Sequence, residues 1–180
     1  MLRFFREYGA SCPDELGLMV AMLTLPDGNT VVGIADCYSG DLDAGEAALR
    51  PLRSFGSPVA DLFRPMPYTE VQKMLDWWAA PQQQHYWKSS FMREMDDAAL
   101  DAMVHFVNRK PSPACAVVLE FMHGAVQRVA ADATALPTAA PATASSCWVN
   151  GRPRRRRRMG CAGRANSGRP CGPASAQEST

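Results

Sequence analysis

The chain has 180 residues, enough for one domain with a sizeable core, and a formal net charge of +1. That sum hides a split: residues 135–180 hold eight of the nineteen Lys and Arg and one of the eighteen acids, so they carry +7 and residues 1–134 carry −6. No apolar run approaches the ~20 residues a membrane helix needs, and no signal-like apolar segment is present, so no membrane role and a cytoplasmic location are expected. The six cysteines (Cys12, Cys37, Cys115, Cys147, Cys161 and Cys171) form no CxxC pair. Free thiols are therefore expected, and no metal site.

Residues 2–11 read as a helix with Phe4, Phe5 and Tyr8 on one stripe. It begins almost at Met1 without a cap, which reads as a domain cut at its start. Leu16 to Tyr38 then holds two apolar, β-prone runs joined by Pro26-Asp27-Gly28-Asn29. Pro presets φ, and Gly or Asn accepts positive φ, so this stretch is a hairpin. Met19, Ala21 and Leu23 fall on one face, Val20, Met22 and Thr24 on the other. Both faces are apolar, which places the pair inside a sheet with helices on one side.

Ser39-Gly40-Asp41 offers an N-cap to a helix over Leu42–Phe55, which Pro51 should kink and Gly56 should end. Residues 57–68 contain three prolines and read as an extended connection. Thr69 and Gln72 suggest a capping box for a short helix burying Val71, Met74, Leu75 and Trp78. After Pro81, His85–Met92 reads as a strand. Asp96 or Asp97 caps a helix reaching Asn108, with Leu100, Met103, Val104 and Val107 inward. A last strand spans Ala114–Phe121, followed by a short run from Gly124 to Val129. The order implies an α+β fold: an antiparallel sheet of about four strands with helices packed on one face.

From residue 135 the character changes. Ala, Arg, Gly and Pro supply 27 of the 46 residues to the end, with no helical or strand period. A segment so poor in large apolar side chains is expected to be disordered, giving a domain at 1–134 and a tail at 135–180. Within it, Arg154–Arg158 is the strongest local signal, because polybasic runs bind phosphate backbones. No aromatic platform accompanies the run, so nucleic-acid contact beyond nonspecific binding is not expected. His85, His105 and His123 lie in separate elements, outside any recognisable catalytic spacing, and read as surface or satisfied core residues.

Four phrases carry a resemblance: LRFFREYGASCPDEL, CYSGDLDAGEAALRPLRSFGSPVADLFRPMPYTEVQKMLD, YWKSSFMREMDDAALD and AVVLEFMHGAVQRVAADATALP. Over residues 2–137 they resemble, in order and spacing, the substrate-binding domain of bacterial FAD-linked oxidases of the berberine bridge enzyme-like group. The resemblance implies hydride transfer from a small-molecule substrate to FAD, with FAD held by a larger N-terminal domain that these residues do not include. This chain alone is then expected to bind no FAD and to be inactive. The family's chain continues through a Pro-His-Arg phrase into a strand lining the flavin site; here it departs at Pro137. One nucleotide lost near Leu136–Pro137 would account for this. Thr138–Gly151 can then encode HRGARYSFLVLGQW, and the last eight residues RLSAGVYV. The tail thus reads as out of frame, and Met1 as a valine codon doubling as a start.

No catalytic or cofactor-binding residue can be carried over, because the family's main substrate-side residues follow the Pro-His-Arg phrase. The candidates that remain are substrate-facing. Tyr86 and Lys88 share a strand face, and Glu120 stands alone on an apolar strand, where it either caps a nearby donor or faces a pocket in which burial would raise its pKa. The three are expected together on a sheet face bared to water, with an unpaired strand edge and self-association as consequences. The alternatives are a non-enzymatic α+β module binding a partner through that face, and a basic-tailed nucleic-acid binder.

Overall fold

The computed structural model describes residues 1–78, 84–130, 132–134 and 143–151. Five strands form one antiparallel sheet in the order β2-β1-β4-β5-β3. The strands are β1 (Leu16–Thr24), β2 (Thr30–Tyr38), β3 (Gln84–Met92), β4 (Cys115–Phe121) and β5 (Thr143–Gly151). The helices are α1 (Leu2–Gly9), α2 (Leu42–Arg53), α3 (Tyr68–Val71) and α4 (Asp97–Asn108), with a 3₁₀ turn at Gly124–Arg128. The architecture is α+β, as expected.

The hairpin registers Leu16 against Tyr38 through to Thr24 against Thr30. Its turn is closed by Leu25 N–H donating to the Asn29 carbonyl at 2.8 Å, with Gly28 at φ +92. Only a residue without Cβ takes that conformation cheaply. Side chains on β1 alternate strictly: Leu16, Leu18, Val20 and Met22 are buried, while the residues between them are half-buried or exposed. The buried row meets Leu2 and Phe5 of α1, Leu52 of α2, Leu100 and Val107 of α4, and Val117 and Leu119 of β4 in one core. Gly9 lets α1 lie against the sheet, since a Cβ there would sit 2.8 Å from the Phe121 ring.

Asp41 caps α2, accepting from the Asp43 and Ala44 amides at 3.0 Å, and Asp96 caps α4 through the Ala99 amide at 2.7 Å. Helix α2 ends at Arg53, sooner than expected, with Pro51 inside its last turn. Ser54 closes it by donating to the Arg50 carbonyl at 2.9 Å.

Several expectations change. The sheet has five strands rather than about four, because Thr143–Gly151, inside the stretch read as structureless, forms β5 between β4 and β3. Two physical reasons apply. Thr143, Cys147, Trp148 and Val149 suit a strand, and β4, buried at every position from Cys115 to Leu119, needs partners on both edges. Residues 152–180, which hold Arg154–Arg158, lie outside the described residues. The capping box at Thr69 does not form: Pro67 is the N-cap, and α3 gives way to i→i+3 turns such as Lys73 N–H to the Glu70 carbonyl at 3.0 Å. Of the expected stripe, Val71, Leu75 and Trp78 are half-buried and Met74 is exposed, so it forms only in part. Val104 likewise points to solvent, at a position just beyond the edge of the α4 stripe.

Candidate functional site

The strand registers decide which sequence candidates meet. Tyr86 is opposite Val149, itself opposite Cys115; Lys88 is opposite Cys147, itself opposite Val117. Directly paired residues share a face, so Tyr86 and Lys88 lie on the helix-bearing face, at the β3 edge. The Lys88 ammonium sits 5.8 Å from the Tyr86 ring centroid, and both side chains are exposed. Glu120 pairs with Met19 and Ala144, on the opposite face. The three candidates therefore do not converge. The inserted β5 separates β4 from β3, and an odd register offset puts them on different faces. Glu120 is exposed rather than set in a pocket.

The face that holds Glu120 is nonetheless largely apolar, with Ser89 also on it at the β3 edge. It presents Met19, Ala21 and Leu23 of β1, Val31 and Ala35 of β2, Val118 of β4, and Trp87 and Phe91 of β3. Trp87 and Phe91 are each 48% exposed. The buried helical residues of the core cluster go with the Leu16–Met22 row on the other side; on this face Ala116 and Val118 are buried, Met19, Ala21 and Leu23 half-buried.

The helix-bearing face has a cavity of its own, at the β2 edge. A partly open cavity of about 260 Å³ lies between β2, α2 and the segment from Leu62 to Met74. Asp36 points into this region with Oδ1 buried and unpartnered. Burial is the main cause that pushes its carboxyl up to about 6; Arg53 nearby opposes the shift and Asp61 adds to it. Arg53 is itself shared: Glu46 at 3.3 Å, Asp61 at 3.6 Å and the Phe63 carbonyl at 2.7 Å all take its charge. Tyr38 is clasped by Gly40 and Gly45, where a Cβ would stand 2.8 Å from its ring.

Sequence reasoning missed Asp36 and Arg53. A lone acid within TVVGIADCY was the available signal, the same kind that singled out Glu120. Away from this cavity, Cys12 Sγ lies 3.7 Å from His123 Nε2, which donates to the Leu16 carbonyl at 2.8 Å, and burial pushes the Cys12 thiol up. His105 is exposed on α4; the His85 side chain lies outside the described residues. Among the described residues no cluster of ligands could hold a metal, and no helix is long and apolar enough to cross a membrane.

No family model matches the chain. An FAD-linked oxidoreductase of Dictyostelium discoideum is 26% identical over 134 residues, which is 73% of this chain and 28% of that protein. Among solved structures, a BBE-like protein of Arabidopsis thaliana superposes with a TM-score of 0.65 at 13% identity, over 84% of this chain and 34% of that one. A chitooligosaccharide oxidase gives a TM-score of 0.62 at 18% identity, over 83% of this chain and 34% of its own. At these identities the solved structures bear on the fold alone. The chain spans about a third or less of each protein it matches.

Proposed function

We propose that this relative of the berberine bridge enzyme-like FAD-linked oxidases is the substrate side of such an enzyme, inactive by itself. The kinship rests on sequence likeness to an FAD-linked oxidoreductase and on the fold of BBE-like oxidases. The observation that carries the proposal is the apolar sheet face opposite the helices, read with the chain's span of about a third of its relatives. An apolar face of this kind suits a planar ring or a second domain, whereas solvent alone would favour polar residues there.

The described residues fit only part of an FAD. The apolar face can cover a flat ring system, but nothing here suits a pyrophosphate. The α2 and α4 N-termini are closed by the carboxylates of Asp41 and Asp96, with Asp43 and Asp97 in their first turns. Those positions repel phosphate instead of cradling it. In the intact enzyme FAD would accept a hydride from a small-molecule substrate. This chain's own part is to close one wall, exclude water and place Glu120 at the rim.

The register of β5 supports an out-of-frame tail. Positions 143, 145 and 147 fall on the helix-bearing face, where this chain has Thr143, Ser145 and Cys147. The frame restored by one nucleotide can encode Tyr, Phe and Val there, which suit a core. The strand is then the family's own, carried here by substitute residues.

FAD titrated with the purified chain should keep its fluorescence, and a yellow preparation with stoichiometric FAD would overturn the proposal. Supplying the FAD-binding portion of a relative in trans should yield a complex. Reading the DNA on both sides of the frame is a second test. FAD-domain codons upstream support the proposal; intergenic sequence would favour a stand-alone α+β binding module. Without its partner domain the exposed part of this face, Trp87 and Phe91 among it, should drive self-association, visible as concentration-dependent light scattering.

A further inference from the structure

The cavity at the β2 edge combines an apolar body with two buried polar atoms left without a hydrogen bond, Asp36 Oδ1 and Arg53 Nε, the latter 3.6 Å from the Asp61 carboxylate. Ile34, Leu49, Phe63 and Met66 supply apolar walls, and Asp36 and Arg53 supply the charge. Its volume of about 260 Å³ exceeds the ~30 Å³ share of a single water several times over.

The charges around it do not balance. Arg53 is divided between Glu46 and Asp61, and Arg64, also in the wall, pairs with Glu70 at 3.4 Å. Two cations therefore face four carboxylates once Asp36 is included. Among the described residues no cation forms an ion pair with Asp36, and its Oδ1 is buried without a hydrogen bond. The other groups close by are committed or neutral: the Tyr8 hydroxyl donates to the Ala48 carbonyl, and Cys37 and Tyr38 flank Asp36 on β2. A buried acceptor without a donor costs about 1–3 kcal/mol, more when it is charged. What would satisfy it is a group bringing both N–H donors and a positive charge, on an apolar body that fills the rest.

We propose that this cavity is a binding site for a small protonated amine with an apolar or aromatic body, its ammonium donating to Asp36. Arg53 attracts an anionic ligand only weakly, because Glu46 and Asp61 already neutralise it, so the selectivity rests on Asp36. A carboxylate that must be ionised to hold the ligand gives binding that weakens as the pH falls through about 6.

The test is calorimetric titration of the full chain with 2-phenylethylamine in mildly alkaline buffer, beside 2-phenylethanol and 3-phenylpropanoate. The amine should bind saturably and at least about tenfold more tightly than the alcohol, as a charge-assisted hydrogen bond implies. The carboxylate should not bind. Asp36→Asn should remove the preference for amine over alcohol while the thermal melt stays as high or rises. Leu49→Trp, which fills the cavity, should abolish binding of both. Equal affinity for amine and alcohol, an unaltered preference in Asp36→Asn, or no saturable binding would each overturn the proposal, the last leaving ordered water as the occupant. None of these readouts involves flavin, so failure here leaves the oxidase reading intact.

Discussion

The two faces of the sheet are both largely apolar, yet the core helices pack on only one; on the other, Ala116 and Val118 are buried while Trp87 and Phe91 stay 48% exposed. On β1, Leu16, Leu18, Val20 and Met22 are at most 4% exposed, because α1, α2 and α4 close over them. Their neighbours Met19, Ala21 and Leu23 are as apolar but only half-buried, with no helix from the core cluster above them. A sheet meeting water on one side would alternate apolar with polar residues. The contrast separates two demands on one strand: one face folds the chain, and the other fits the docking of a second domain proposed above.

Substitutions at the two faces should differ most. Phe5→Ala, which empties a fully buried position edge-on to Phe121, should cost about 3–5 kcal/mol in urea unfolding. Leu23→Ala on the other face should cost under about 1 kcal/mol, and a comparable loss at both would erase the distinction. Gly9→Ala sharpens it from the helix side: its Cβ would meet the Phe121 ring at 2.8 Å, costing about 1–3 kcal/mol by the same assay.

Asp36 gives a pH-dependent measure of the helix-bearing face. Its folded pKa of about 6 lies above the ordinary carboxylate value of 3.8, so the folded chain binds the extra proton between those values. Stability should therefore be highest below about 4 as far as this group is concerned, and fall as the pH rises to 6. It should be flat above that. Solvent screening reduces the effect to about 1–2 kcal/mol, and Asp36→Asn should remove the slope. The smallest effect expected is at a cap: Asp41→Ala should lower stability by about 1 kcal/mol through the orphaned Asp43 and Ala44 amides.

Local chemistry was legible in the sequence. The turn at Pro26–Asn29, the caps at Asp41 and Asp96 and the stripe of Leu100 and Val107 each depend on residues within one turn or two of one another. Facing and partnership were not. Which side Tyr86 and Lys88 occupy depends on β5, and β5 was hidden because the arginines that follow it dominated the composition of the whole segment. Asp36 became noticeable only once α2 and the Leu62–Met74 segment folded over it.

The central claim is that the partly exposed face receives the FAD-bearing part of a larger enzyme. Met19 and Met22 stand three residues apart on opposite faces of β1, which makes them an internal pair of reporters. Peroxide oxidation of the full chain, read by mass spectrometry with and without the FAD-binding portion of a relative in trans, measures both at once. The account predicts that Met19 oxidises readily in the chain alone and is protected in the complex, while Met22, 3% exposed, stays protected throughout. Formation of a complex that leaves Met19 as reactive as before would contradict it.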